Sequence, residues 1–275
     1  MKHTNKLSAI IAISDTHVGS LIGLWPNDFE TQSGNKISLN PYQLKMYNLW
    51  LDSTKRAIEE VKGRDFILLL NGDLVEGCGQ HKSIQYMSPD PADESDAAYE
   101  LLKPMTQLKN CKKVIVVKGT RCHCNGNEET IAKRLGAVKV PQHSKQQTFD
   151  KAIFQVGGCW IDATHHISTT SRVYLEAGRL SIHLGNARLN YAREGLTLPK
   201  VFIRSHAHTP CYFSDARGLI MILGAFQGLS SYGFNKVPDS IPYPAIGTMT
   251  FDGDGKLPVA KLHGAPLLQN EYQII

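Results

Sequence analysis

Short apolar segments alternate with longer amphipathic ones along the first half of the chain. Residues 7–14, 66–70 and 114–117 are continuous apolar runs rich in β-branched side chains, which is typical of strands buried on both faces. Between them, apolar residues recur at helical spacing over 41–62 and 92–108, and the first of these helices opens on an Asn-Pro pair. The order strand–helix–strand–helix–strand predicts parallel strands joined by right-handed crossovers.

The second half is richer in predicted strands. Residues 152–156 and 159–164 flank a Gly-Gly turn and predict a hairpin, whereas 171–193 predict a helix with a break near Gly185. A short helix is predicted at 128–135, and further strands at 201–204, 219–223, 246–251 and 258–262. Because no repeat, linker or change of composition divides the sequence, we expect one α/β domain over residues 1–275.

The net charge and the cysteines indicate which substrates and which cellular compartment to expect. The net charge of +5 suits an anionic substrate, with nucleic acid as a candidate. The six cysteines are irregularly spaced, and no run approaches the roughly 18 apolar residues of a membrane span. The N-terminus also lacks the apolar stretch of a secretory leader. We therefore expect reduced thiols, a cytoplasmic location and no membrane partner.

Carboxylate and imidazole side chains follow the apolar strands at the points where those strands end. In chain order they are Asp15, His17, Asp73, Glu76, His123, His165, His166, His206 and His208. Alternate residues of an extended segment share a face, so Asp-x-His and His-x-His pairs can direct both side chains into one site. Because the carboxyl ends of parallel strands meet at one edge, this mixture of ligands predicts a divalent-metal site there.

The motifs SDTHVG, NGDLVEG, HH and SHAH, in this order, resemble those of the calcineurin-like metallophosphoesterase superfamily over about residues 8–210. The resemblance implies a sandwich of central mixed β-sheets flanked by helices on both sides. It also implies two divalent metal ions, with Mn²⁺ first and Fe, Zn or Mg as alternatives. One ion would be bound by Asp15, His17, Asp73 and His208. The other would be bound by the bridging Asp73 with His165 and His206, or with His166 in place of His165.

The third motif departs from the family pattern. The family has Gly-Asn-His, whereas residues 119–123 read GTRCH, similar to a G-T-x-x-H variant of phage and other mobile-element members. The resemblance implies that His123 acts beside the phosphate as general acid or electrostatic stabiliser, and Arg121 is a candidate phosphate contact. The ligand lost with the Asn could be replaced by Thr120, Asn125, a water or His123 itself.

The Cys-His-Cys sequence at 122–124 also raises a structural zinc site. Adjacent ligands point in opposed directions and no second pair lies nearby, so the spacing disfavours this interpretation.

The predicted activity is metal-dependent hydrolysis of a phosphoester, by a phosphodiesterase or nuclease. The alternatives are a phosphomonoesterase acting on a nucleotide or phosphoprotein, and a non-catalytic scaffold that keeps the fold. Loops 21–39 and 77–91 follow metal motifs and would set specificity. The candidate contacts or loop anchors within them are Trp25, His81, Lys82 and Tyr86.

Overall fold

The fold is seen in a computed structural model of the chain. It describes residues 7–77, 85–124, 126–141, 143, 145–167, 176–230 and 241–267, apart from the side chains of Cys124, Glu176 and Ala177. The strands are β1 (Ala9–Ile13), β2 (Phe66–Asn71), β3 (Cys111–Val117), β4 (Thr148–Phe149), β5 (Ala152–Val156), β6 (Cys159–Ala163), β7 (Val201–Arg204), β8 (Cys211–Asp215), β9 (Gly218–Ile222), β10 (Ala245–Thr250) and β11 (Val259–Gly264). The helices are α1 (Pro41–Glu60), α2 (Pro91–Thr106), α3 (Arg121–Cys124), α4 (Asn127–Arg134) and α5 (Glu176–Arg193).

The strands form two mixed sheets. The first has the order β11-β10-β1-β2-β3-β4, and its strands β1 to β4 are parallel. The second has the order β5-β6-β7-β9-β8, in which β6, β7 and β9 are parallel. The remaining neighbours pair antiparallel. The predicted α/β architecture, with mixed sheets flanked by helices, is confirmed.

Alternate residues of the central strands fill different apolar layers. Ile10 and Leu69 from the first sheet pack with Ile161 and Ile203 from the second, which places one core between the sheets. Ile11 and Leu68 face the opposite way, into a layer that includes α1 and α2 side chains. A third layer packs α5 against the outer face of the second sheet through Leu180, Leu184, Phe202, Ile220 and Ile222. Burial on both faces explains why β1 and β2 are continuously apolar.

Helix α1 begins as the sequence predicts. The Asn40 side chain accepts a hydrogen bond from the Gln43 backbone N–H (2.8 Å), and the Gln43 side chain accepts one from the Asn40 N–H (3.2 Å). The predicted break near Gly185 is wrong, because α5 runs through this residue without interruption. Leu180 and Leu184 anchor the helix to the sheet, and such packing can outweigh the roughly 1 kcal/mol cost of a helical glycine.

Two strands were not predicted from the sequence. β4 has two residues, and β8 is an edge strand whose residues are all at least partly exposed, so neither contains an apolar run. The predicted start of α5 at residue 171 lies outside the described residues. Among the described helices, none combines the length and apolar character needed to cross a bilayer.

Candidate metal centre

The predicted site residues come together where the carboxyl ends of both sheets meet. Asp15 and His17 follow β1, Asp73 follows β2, and His123 lies in α3 after β3. From the second sheet, His165 follows β6, and His206 and His208 follow β7. Parallel strands in each sheet deliver these side chains to the same edge, as in other α/β sites. The sheets therefore contribute ligands from opposite sides of one cleft.

Most candidate ligands have a strained backbone. Seven described non-glycine residues have positive φ, and five of them are Asp15, His17, Asp73, His206 and His208 (φ 41–69°). This conformation costs roughly 1–2 kcal/mol per residue, and strain of this kind clusters at functional sites. Hydrogen bonds between neighbouring loops hold it, including Asp15 N–H to Gly72 O (2.9 Å) and His17 N–H to Asp73 O (3.1 Å).

The first ligand cluster consists of Asp15, His17 and His208, whose potential ligand atoms all lie within 4.8 Å of one another. Asp15 Oδ1 is 3.2 Å from His208 Nε2. His17 Nε2 is buried and has no hydrogen-bond partner among the described residues, and the buried Asp15 Oδ1 has only ion-pair contacts there, with His208 and, at 3.9 Å, with His165 Nε2. An unsatisfied buried polar atom costs about 1–3 kcal/mol, so these two electron-pair donors fit a bound cation.

Glu76 and Gln227 fix the orientation of His17. The His17 Nδ1–H donates to Glu76 Oε2 (2.9 Å), and the Gln227 side-chain amide donates to the same oxygen (2.7 Å). This assigns the His17 proton to Nδ1 and leaves the Nε2 lone pair directed into the cluster. The sequence marks Glu76 as a donor after β2 but assigns it no role. No sequence pattern points to Gln227.

The second cluster consists of Asp73, His165 and His206. His165 Nδ1 lies 2.7 Å from the Asn71 carbonyl oxygen, which only accepts, so Nδ1 carries a proton. Its Nε2 lies 2.9 Å from Asp73 Oδ2. In a neutral imidazole this nitrogen would aim a lone pair at a carboxylate oxygen. A second proton or a metal cation between the two atoms resolves that conflict.

Electrostatics in the second cluster favour positive charge. Burial alone would lower the His165 pKa, but Asp15 and Asp73 together raise that pKa to about 10. Burial would likewise raise the pKa of Asp73, yet the hydrogen bond and charge of His165 hold it well below its usual range. The Asp15 pKa is also lowered against the effect of burial, by His165 and His208. Both carboxylates are therefore ionised and attract a cation.

His165 rather than His166 contacts Asp73. His165 is buried, whereas His166 is exposed, with its ring 5.0 Å from the rings of both His165 and His206. Of the two alternative ligands, His165 is therefore the one that lies in the second cluster.

Thr120 lies at the centre of the second cluster. Its backbone N–H donates to Asp73 Oδ1 (2.6 Å) and its hydroxyl donates to Asp73 Oδ2 (3.0 Å). The same hydroxyl is 3.3 Å from His206 Nδ1 and 3.5 Å from His165 Nε2. Among the candidates for the missing Asn ligand, Thr120 is thus beside the other ligands, whereas Asn125 lies outside the described residues.

His123 forms a third group of potential ligands with His17 and Glu76, whose ligand atoms lie within 4.8 Å of one another, so it is itself among the candidates for the missing ligand. Its Nδ1–H donates to the Glu76 carbonyl oxygen (2.6 Å), and its ring centroid is 4.7 Å from that of His17. Arg121 is exposed at the start of α3, so its contact with substrate stays a prediction. Cys122 belongs to none of the clusters of potential metal ligands found in the described part of the chain.

Glu128 joins the loops after β2 and β3 through hydrogen bonds to their backbone. Its carboxylate accepts from the backbone N–H groups of Leu74 (3.2 Å) and Gly119 (2.9 Å). Burial, and then the charge of Asp73, raise its pKa to about 7. The sequence marked Glu128 only as the first residue of a short helix.

Asn71 links the two sheets at the cleft. Its side-chain amide donates to Ser205 Oγ (2.6 Å) and to the Thr164 carbonyl oxygen (3.0 Å). Ser205 directly precedes His206, and its hydroxyl accepts this bond. The bond therefore joins β2 to the loop after β7.

The loop aromatic residues differ in their placement. Trp25 is fully buried and packs edge-to-face on Phe29 with ring centroids 5.2 Å apart, so it anchors its loop and offers no face to a base. Tyr86 is partly buried and pairs with Ser20 in an isolated bridge. His81 and Lys82 lie outside the described residues.

No family profile matches the chain, and no curated protein sequence matches it. Solved structures similar to it include an archaeal phosphodiesterase, with 13% identity, coverage of 92% of this chain and 99% of that one, and a TM-score of 0.44. A phosphoesterase from E. coli has 13% identity, 87% coverage of both chains and a TM-score of 0.42. Zinc-complexed Vps29 from Entamoeba histolytica has 12% identity, coverage of 94% and 99%, and a TM-score of 0.39.

Gly119→Ala should destabilise the protein, because a Cβ at this position would overlap Oδ1 and the backbone nitrogen of Asp73. We expect a loss of about 1–3 kcal/mol in the free energy of unfolding, measured by urea denaturation. Gly178→Ala in α5 is the matched control, since no described atom lies within 4 Å of its added Cβ. That change should be neutral or stabilising by up to about 1 kcal/mol. Equal effects of the two substitutions would contradict the close packing at Gly119.

Proposed function

We propose that the chain is a metal-dependent phosphoester hydrolase, of the phosphodiesterase or nuclease kind, with residues 1–275 forming one metallophosphoesterase domain. The observation that carries the proposal is the buried His17 Nε2, which has no hydrogen-bond partner among the described residues, together with Asp15 Oδ1 and the Asp73–His165 contact beside it. An unsatisfied buried electron-pair donor costs about 1–3 kcal/mol, and a cation bound beside it would offset that cost.

The chain's residues fit two divalent ions. One ion would be held by Asp15, His17, Asp73 and His208, and the other by Asp73, His165 and His206. Carboxylate and imidazole together suit Mn²⁺, with Fe, Zn or Mg as alternatives. Asp73 is assigned as the bridge because this is the role that the family resemblance implies for it. Thr120 is the candidate that compensates for the missing Asn.

The chemistry follows from these roles. When bound, the two ions would neutralise phosphoryl oxygens and lower the pKa of the attacking water. His123 would present Nε2 to the substrate, because its Nδ1–H is held by the Glu76 carbonyl oxygen. The Glu76 carboxylate, 4.0 Å from His123 Nδ1, would stabilise the doubly protonated imidazole that donates a proton to the leaving oxygen. Arg121 would add a phosphate contact at the rim.

A basic cavity near the third motif supports a polyanionic diester as substrate. This cavity, of about 660 Å³, is lined by Lys118, Lys133, His143 and Lys145, and Lys118 directly precedes Gly119. Two of the lysines are paired, Lys118 with Asp150 and Lys133 with Glu129, so the excess of positive charge is modest. Nucleic acid is the substrate class that this charge favours over a phosphomonoester.

Asp73→Asn should abolish hydrolysis of bis-p-nitrophenyl phosphate in the presence of Mn²⁺. The change removes the proposed bridging charge, so the loss should exceed the roughly 10–100-fold effect of losing an outer-shell partner. Asp252→Asn, at an exposed carboxylate paired with Arg64, is the matched control and should keep full activity. Full activity in the Asp73 variant would refute the proposal.

The diester preference is tested by comparing the rates at which the wild-type chain hydrolyses bis-p-nitrophenyl phosphate and p-nitrophenyl phosphate. A preference for the monoester would favour the phosphomonoesterase alternative.

His123→Ala should lower turnover by roughly 10²–10⁴-fold while leaving the metal content largely intact, because its proposed role is proton transfer and not metal binding. The measurements are steady-state kinetics and elemental analysis of the purified variant. His165→Ala should, in contrast, lose bound metal. Loss of metal from the His123 variant would make His123 a ligand and reject the role assigned to it.

A further inference from the structure

A second polar cavity lies on the outer face of the second sheet, beneath α5. It has a volume of about 230 Å³. Asp162 of β6, Tyr191 of α5 and Arg204 of β7 are buried members of its lining, whereas Asn190 and Lys151 are exposed. None of the candidate metal ligands lines it. The cavity is therefore separate from the proposed catalytic centre.

Arg204 presents an unused edge of its guanidinium group. Its Nη1 donates to Asp162 Oδ1 (2.9 Å), and its Nε donates to His183 Nε2 (3.4 Å). No described residue accepts a hydrogen bond from Nη2, and this nitrogen is not among the buried polar atoms without a partner, so solvent reaches it. It belongs to a side chain that lines the cavity, and it is therefore a donor available to an occupant of that cavity.

The charged side chains around the cavity carry a net positive charge. The Asp162 carboxylate is already engaged by Arg204, by the Tyr191 hydroxyl (2.7 Å) and by Lys151 Nζ (3.3 Å). Two cationic side chains therefore face one carboxylate. Burial, and then the charge of Arg204, lower the pKa of His183, which keeps that imidazole neutral. The cavity thus offers hydrogen-bond donors and no second carboxylate among its lining residues.

We propose that this cavity binds a small anion through a single phosphate or carboxylate group. Arg204 Nη2 donates to the anion from the buried side, and Lys151 and Asn190 donate from the exposed side. A volume of about 230 Å³ is below the roughly 300–1,000 Å³ of drug-sized ligand pockets, which limits the occupant to a compact anion. A planar guanidinium is well suited to either oxyanion.

The Arg204 Nε–H provides a local NMR probe, because its hydrogen bond to His183 slows exchange with solvent. The full-length protein is titrated with inorganic phosphate and, separately, with acetate, and the Arg204 Nε–H resonance, identified by its absence in Arg204→Lys, is followed. A saturable shift with either anion below about 50 mM supports the site, and the anion that saturates identifies the group. No saturable shift with either anion overturns the proposal.

Variants localise the binding. Asn190→Asp is nearly isosteric and exposed on α5, and its negative charge should weaken binding of the saturating anion about tenfold or more. Lys151→Ala should weaken it in the same direction, and Lys139→Ala, an exposed lysine outside the cavity, should leave the affinity unchanged. Unfolding midpoints confirm that the variants remain folded. An unchanged affinity in both Asn190→Asp and Lys151→Ala would place the anion elsewhere and reject the site.

Discussion

The contact between Asp73 and His165 is the interaction on which the rest of the site depends. It joins a carboxylate from the first sheet to an imidazole from the second, with 2.9 Å between Oδ2 and Nε2, and both residues are almost fully buried. The His165 proton is held at Nδ1 by a carbonyl oxygen, so the contact is stable only with positive charge between the two atoms. That requirement is met by a second proton on His165 or by a bound metal cation, and the proposed function assigns it to the cation.

The surrounding structure maintains this geometry at a cost in free energy. Five candidate ligands have left-handed backbone conformations, and Gly119 passes so close to Asp73 that no larger residue fits without movement. Asn71 then joins β2 to the loop after β7 of the second sheet, and Glu128 joins the loops after β2 and β3 of the first sheet by hydrogen bonds. Strain that is retained in this way is expected where ligands must be preorganised for a metal ion.

The sequence was sufficient for the features that depend on local pattern. Continuous apolar runs predicted the central strands, and donors directly after them predicted which side chains would meet at the cleft. Features that depend on distant contacts could not be predicted in this way. The hydrogen bond from Gln227 to Glu76 spans 151 residues, and Thr120 reaches His206 across 86. The continuous course of α5 likewise depends on packing against the second sheet, which a glycine in the sequence does not reveal.

Anomalous diffraction at the manganese edge, from crystals of the full chain grown with Mn²⁺, tests the dinuclear centre most directly. We expect two peaks about 3.5–4 Å apart, with Asp73 between them. One peak should lie about 2–2.5 Å from Asp15 Oδ1 and His17 Nε2, two buried ligand atoms of the first cluster. A single peak, or no peak beside those two atoms, would contradict a two-metal phosphoesterase site.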